Sequence, residues 1–328
     1  MKRVIATAKK QIAGALSNWI LLCVLIASTL IVSLFVPYYL APKNLLDATR
    51  SGGELGLIGL GMATVMLIGG IDLSVGSIFA LSAIIMGIFI KLGVNAYISA
   101  VLCVVTGLLA GTANGLIISR LKIPPIIVTL ATMAAYRGIA IGLSKGVSYP
   151  VPQSFYFIGQ GGIFGIPTQL IMLVGVAVIV STLLRRTTFG LSLFAIGNSE
   201  EAARYSAIRA SLAKTTVYAV SGFLSAIASL VYVARVVSAK ADFGTGYELD
   251  AITIAVLGGA ALAGGKANVT GTVIAMLIIV LLRRGLTMGF VQTEVQSIFI
   301  GLILIISVAL KGSLRSDRVA RHGKNVSA

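Results

Sequence analysis

Few side chains in this sequence could carry out acid–base or metal chemistry, and the most conspicuous of them is Asp72. It lies in a short polar break, residues 71–77, between two long apolar runs. A carboxylate at this place could contact a solute or gate a path. The Asp-x-Ser pattern also fits an N-cap, in which the carboxylate accepts hydrogen bonds from the first amides of the next helix. The N-cap is the interpretation that we favour.

Three further polar residues, Asn114, Thr129 and Thr132, lie inside apolar runs. Such residues can line a polar path, but more commonly they form hydrogen bonds between neighbouring helices in a membrane. The one histidine, His322, lies in a basic tail, so no histidine-based metal or proton site is expected. We predict neither a catalytic residue nor a metal site in this chain.

The long polar segment, residues 185–214, is the second place of interest. It is rich in arginine and lysine and lies between two apolar runs. A segment of this kind in a membrane protein must lie in water, and its basic content places it in the cytoplasm. We call residues 185–214 the coupling segment, because we predict that a soluble partner moves the membrane body through it.

A short helix is expected inside the coupling segment. Asn198 and Ser199 can act as N-cap, two acids follow, and Arg204 and Arg209 come later, which is the charge order that a helix dipole favours. Small side chains would form one face of this helix. The predicted docking residues are Asn198, Glu200, Glu201, Ala202, Ala203 and Arg204.

Composition predicts the fold class. Hydrophobic residues make up 57% of the 328 residues and charged residues only 11%, whereas soluble domains have about 25% charged residues. Since a spanning helix needs about 20 apolar residues, we predict an all-α polytopic membrane protein. It would form one domain, residues 1–328, with about ten transmembrane helices in a lipid bilayer.

Basic residues predict the orientation, because lysine and arginine concentrate in cytoplasmic loops. Both termini, the coupling segment and a basic tail, residues 311–328, are expected in the cytoplasm. The apolar runs between residues 251 and 284 are short and interrupted by glycine, so we predict half-helices or a re-entrant pair there. Gly107, Gly111 and Gly115 form two successive G-x-x-x-G spacings, which predict a close helix–helix contact.

Several function classes fit poorly. The net charge of +16 is scattered among apolar runs, so we predict no nucleic-acid binding. The glycine-rich run before Lys266 is no phosphate loop, because Ala260 stands where the first glycine is needed and Ala267 where Ser or Thr is needed. An ion-driven secondary carrier is the alternative function. Such carriers place acids in mid-span, whereas Glu54 and Glu294 are expected at span ends.

Several segments, in this order along nearly the whole chain, resemble the permease subunit of ribose/monosaccharide-type ABC importers. They are GGIDLSVGS (69–77), GLLAGTANG (107–115), LKIPPIIVTLATM (121–133) and GTGYELDAITIAVLGG (244–259). The run from Gly197 through Ala203 carries the same resemblance. Many members of that family have Ser-Gly-Ile where this chain has Ser206-Ala207-Ile208.

The resemblance implies that this chain is one subunit of a transporter complex in the bacterial inner membrane. Such permeases work as dimers, with a second copy or a paralogue. They receive a sugar from a periplasmic binding protein and are driven by a double-domain ATPase, which holds the ATP and Mg²⁺. The ATPase docks on the cytoplasmic loop that corresponds to the coupling segment. Members carry pentoses, hexoses, deoxysugars or the furanosyl signal autoinducer-2.

Overall fold

The computed structural model describes the backbone of residues 2–326 and the side chains of residues 18–309. This part of the chain is almost entirely helical, as predicted. The helices are α1 (Lys2–Phe35), α2 (Pro42–Leu67), α3 (Val75–Lys91), α4 (Ala96–Leu121), α5 (Pro125–Ser144), α6 (Tyr156–Gln160), α7 (Thr168–Arg186), α8 (Thr188–Asn198), α9 (Glu200–Tyr205), α10 (Ala210–Val236), α11 (Tyr247–Leu257), α12 (Val269–Met288) and α13 (Thr293–Val326).

Extended structure in the described backbone is limited to four strands of two residues each. Strand β1 (Tyr149–Pro150) pairs antiparallel with β4 (Ser238–Ala239), and β2 (Gly162–Ile163) pairs antiparallel with β3 (Ile166–Pro167). A 3-10 turn (Gln153–Phe155) precedes α6. These short pairs close the loops between the helices and do not form a sheet core.

Six helical segments among the described residues are long and apolar enough to cross a membrane. They are Asn18–Phe35 of α1 and the helices α4, α5, α7, α10 and α12. Together with the high helix content, they confirm an all-α polytopic membrane protein. The prediction of about ten spans remains a prediction.

Helix α2 forms the centre of the bundle. It begins at Pro42, twelve residues before Glu54, which we expected at the end of a span; proline suits the first helical position. Every residue from 52 to 67 is buried. A helix that is apolar on all sides belongs in a core, and α7, α10, α11 and α12 surround this one.

The crossing of α4 and α10 uses the predicted glycine spacing. Gly107 and Gly111 lie directly against Gly222 of α10, and Gly115 lies against the backbone of Thr215. A methyl group on Gly115 would come within 2.6 Å of the Thr215 Cα atom, closer than real side-chain contacts allow. The glycines therefore let the two backbones touch, as small residues do in membrane helix pairs.

Two non-helical stretches interrupt the bundle, residues 68–74 after α2 and residues 258–268 after α11. Irregular backbone is tolerated at membrane depth only where protein or a water-lined cavity surrounds it. Helix α11 has only 11 residues, in agreement with the predicted half-helix. The prediction is wrong for α12, which has 20 residues and is long enough to span.

Candidate coupling segment and buried polar cluster

The predicted short helix exists as α9, and Ser199 is its N-cap. The Ser199 hydroxyl accepts a hydrogen bond of 3.2 Å from the amide of Ala202. Asn198, which we considered as a second capping residue, is instead the last residue of α8, and its side-chain amide donates to the Phe194 carbonyl at 2.7 Å. Arg209 lies outside α9 and precedes α10.

Glu200 ties α9 to α10. Its carboxylate pairs with Arg204 at 2.8 Å within α9 and with Lys214 of α10 at 2.6 Å. Partial burial raises the pKa of Glu200, but the hydrogen bonds and charges of Lys214 and Arg204 outweigh burial and lower the pKa below its usual value. The carboxylate is therefore ionised at neutral pH and holds two helices together.

The exposed side of α9 differs from the predicted small-residue face. Ala202 and Ser206 are exposed, but Ala203 is buried with 3% of its surface accessible and faces the membrane body. Glu201 is exposed as well. Tyr205, which sequence analysis did not single out, is 85% exposed. The sequence could have indicated Tyr205, because it is the one aromatic residue of α9.

Helix α8 was not foreseen, because the coupling segment was interpreted as polar throughout. Its apolar residues Leu193 and Ile196 are buried against the bundle. Gly197 lies against the Leu67 carbonyl at the end of α2 and against Gly265 in the break after α11. The Gly265 amide in turn donates to the Leu67 carbonyl at 2.8 Å. The coupling segment thus rests on both non-helical breaks of the bundle.

Asp72 is the centre of a buried polar cluster. Its carboxylate accepts hydrogen bonds from the Ser74 amide at 3.0 Å and the Ser74 hydroxyl at 2.6 Å. The prediction of Asp72 as N-cap is wrong, because Ser74 is the N-cap of α3 and no side chain caps its first amides. The Asp72 carboxylate also accepts a hydrogen bond at 2.9 Å from the Ser221 hydroxyl of α10. All three side chains are at most 1% accessible. The carboxylate therefore fixes the residue that begins α3 and joins it to α10.

Asn114 extends this cluster into α4 and α5. Its side-chain amide donates to the Ser74 hydroxyl at 2.8 Å, and its oxygen accepts from the Tyr136 hydroxyl at 3.1 Å. The structure therefore brings Asn114 and Asp72 together through Ser74. Neither Tyr136 nor Ser221 was predicted, since one tyrosine or serine in an apolar helix gives no sequence signal of its own.

The two predicted threonines are placed differently. Thr129 donates to the Ile71 carbonyl at 3.1 Å and so joins α5 to the break beside Asp72. The Thr132 hydroxyl bonds only to carbonyls of its own helix, at Val128 and Thr129. Thr129 is therefore part of the polar surroundings of Asp72, whereas Thr132 is not. Within residues 18–309, no group of three or more His, Cys, Asp or Glu side chains could hold a metal ion.

The similarity of this chain to known proteins extends over both the coupling segment and the polar cluster around Asp72. The family model described as "Branched-chain amino acid transport system / permease component" matches residues 44–308. The chain belongs to this permease family. It is 39% identical to the ribose import permease protein RbsC of Bacillus subtilis over 284 residues, which are 86% of this chain and 88% of that protein.

Two other relatives show the same extent of similarity. The ribose import permease protein RbsC of Haemophilus influenzae is 35% identical over 92% of this permease and 94% of its own length. The autoinducer 2 import system permease protein LsrD of an Enterobacter species is 33% identical over 89% of this permease and 92% of its own length. No solved structure matches the chain.

The permease buries more acids than the sequence pattern indicated. Glu54 was expected at a span end, but α2 begins earlier, and Glu54 is 1% accessible and pairs with Arg235 at 2.8 Å. Asp250 of α11 is also buried and pairs with Arg283 of α12 at 2.8 Å. These two acids have a basic partner, whereas Asp72 is held by hydroxyl and amide groups.

Arg137 of α5 binds backbone carbonyls of the protein itself. Its guanidinium donates to the carbonyls of Ala241 at 2.6 Å, Phe243 at 2.8 Å and Gly76 at 3.2 Å. These carbonyls belong to the loop before α11 and to the first turn of α3. Arg137 therefore fixes this loop to α3.

Proposed function

We propose that this permease is the transmembrane subunit of an ATP-driven ABC importer for a monosaccharide or a related furanosyl solute. The observation that carries the proposal is the similarity along almost the whole chain to permeases named for ribose import and for autoinducer 2 import. We place it in the bacterial inner membrane, as one domain with both termini in the cytoplasm.

The energy is supplied by a partner. No phosphate loop is present in the run before Lys266, so we propose that ATP and Mg²⁺ bind to a double-domain ATPase subunit. That ATPase docks on the exposed side of α9, which presents Glu201, Ala202, Arg204 and Tyr205. Glu200 holds α9 on α10 by its pair with Lys214 and transmits the movement.

Helix α10 connects the proposed docking helix α9 to the buried polar cluster. Helix α10 begins five residues after α9 ends and carries Ser221, which binds Asp72. We propose that a shift of α10 breaks this contact and opens the polar cluster. Its carboxylate, amide and hydroxyl groups suit the hydroxyl groups of a sugar. In the closed arrangement described above they bond to one another instead.

The proposed importer needs two further partners. We propose that a periplasmic binding protein delivers the solute at the opposite end of the bundle and that a second copy or a paralogue forms the other half of the pore. The exposed leucine and isoleucine side chains of α1, α4, α5, α7 and α13 are available for the lipid bilayer and for this second subunit.

The docking proposal is tested in the assembled complex in proteoliposomes, by solute-stimulated ATP hydrolysis and solute uptake. Glu201→Arg and Ala202→Trp change exposed positions of α9, so the permease should fold while both activities fall at least tenfold. Glu294→Arg, an exposed position in the first turn of α13, makes the same charge change away from α9 and should have no effect. Normal activity of both α9 variants would show that docking occurs elsewhere.

A charge exchange between Glu200 and Arg204 is a poor test of docking, because Lys214 also binds Glu200 and would repel an arginine there.

The ion-driven alternative is tested separately. Proteoliposomes that contain the permease alone receive a proton or sodium gradient without ATP. Solute uptake under these conditions would identify a secondary carrier and contradict the ABC proposal.

A further inference from the structure

A basic cleft of about 600 Å³ lies where α4 ends and α10 begins. Four cations line it: Arg120, Lys122, Arg204 and Arg209. Of these four cations, only Arg204 has an acidic partner within 4.0 Å among the described side chains, namely Glu200. The cleft therefore carries an excess of positive charge that the protein itself does not neutralise.

The first residues of α10 add to this charge. Ala210 and Ser211 line the same cleft, and no side chain caps the amides of the first turn of this 27-residue helix. The Ala210 amide donates to the Ile208 carbonyl at 2.9 Å, and the positive end of the helix dipole favours an anion. Guanidinium groups form paired hydrogen bonds with phosphate oxygens. The cleft thus has the chemistry of a phosphate site.

An apolar surface adjoins the cations. Leu116 and Leu212 line the cleft, and Leu212 is 61% exposed. Leu109 and Val105 precede Leu116 by two and three helical turns on the same side of α4, and they are 62% and 39% exposed. Since α4 and α10 are both candidate spans that end or begin here, this apolar strip runs from the cleft toward the membrane interior.

We propose that this cleft binds the headgroup of an anionic phospholipid. The cations and the N-terminus of α10 hold the phosphodiester, and an acyl chain lies along Leu116, Leu109 and Val105. Basic pockets between membrane helices on the cytoplasmic side commonly bind anionic lipid headgroups. Arg204 belongs to both the cleft and α9, so a bound lipid would also restrain the helix on which the ATPase docks.

The test uses the full-length permease, purified in a non-ionic detergent without its partners, so its outcome does not depend on the proposed function. Native mass spectrometry measures the binding of phosphatidylglycerol and of phosphatidylcholine with identical acyl chains. We expect tighter binding of phosphatidylglycerol. Arg120→Gln combined with Arg209→Gln should weaken it about 30-fold, since each cation near an anionic lipid contributes about 1 kcal/mol.

The matched control is Arg185→Gln combined with Arg186→Gln, which removes two exposed arginines at the end of α7, outside the cleft. It should leave the binding of phosphatidylglycerol unchanged. An equal loss in both double variants, or equal binding of the two lipids, would show unspecific charge attraction and overturn the proposal.

Two further outcomes would assign the cleft to another ligand. Competition by millimolar inorganic phosphate would identify a site for free anions and overturn the lipid assignment. If the Arg120 and Arg209 double variant binds phosphatidylglycerol normally but loses affinity for the ATPase subunit, the cleft is a protein interface.

Discussion

Ser221 donates a hydrogen bond of 2.9 Å to the carboxylate of Asp72, although 149 residues separate the two in sequence. The contact joins the break before α3 to α10, the helix that follows the coupling segment. Both side chains are buried, so neither can exchange its partner for water in this arrangement. The bond links the helix that follows the coupling segment to the interior of the bundle.

The first prediction concerns this contact. Asp72→Ala leaves the Ser74 and Ser221 hydroxyls without their acceptor, which should lower the free energy of unfolding by about 1–3 kcal/mol. Ser221→Ala should cost less, and the double variant should cost less than the sum, because the two residues share one interaction. Thermal unfolding of the purified permease in detergent measures all three.

Thr132→Ala is the control for this series, because the Thr132 hydroxyl bonds only to its own helix. We expect a change within about 0.5 kcal/mol. Additive effects of Asp72→Ala and Ser221→Ala, or an equally large effect of Thr132→Ala, would contradict the assignment of the cluster.

The second prediction concerns the crossing of α4 and α10. Gly111→Leu places a side chain against Gly222, where the two backbones touch, and should destabilise the fold by on the order of 1–3 kcal/mol or more. Gly138→Leu makes the same change in α5, where nothing lies within 4 Å, and should leave the melting temperature nearly unchanged. Similar melting temperatures for the two variants would rule out the close crossing.

The third prediction concerns Ala207, in the turn between α9 and α10. It has a φ of +59°, a left-handed conformation that costs about 1 kcal/mol or more for a residue with a side chain. Ala207→Gly should therefore increase the hydrogen-exchange protection of α9. Ala202→Gly removes the same methyl group inside the helix and should decrease it. Protection that falls in both variants would argue against strain at Ala207.

The fourth prediction concerns the pH dependence of Glu200. Its pKa is lower in the folded protein than in the unfolded chain, so its stabilising effect is present above the unfolded pKa of about 4.3 and is lost as the pH falls through the folded value. At pH 7, α9 should be better protected from hydrogen exchange in the native protein than in Glu200→Gln. This difference should disappear at low pH; a difference that is independent of pH would exclude the ion pairs as its cause.

Composition and short sequence patterns were enough to predict the class of protein and several local features. A composition this apolar cannot form a soluble domain, so helices in a membrane follow directly. The capping pattern at Ser199 and the glycine spacing of α4 depend only on residues that are close in the chain. For that reason they were predictable and agree with the structure.

Which polar groups meet depends on how the whole chain folds. Asp72, Ser221, Asn114 and Tyr136 come from four separate parts of the chain, and nothing in their local sequence pairs them. The same holds for Glu54 with Arg235 and for Glu200 with Lys214. A buried polar group must find a partner, but the chain fold alone decides which partner lies within hydrogen-bonding distance.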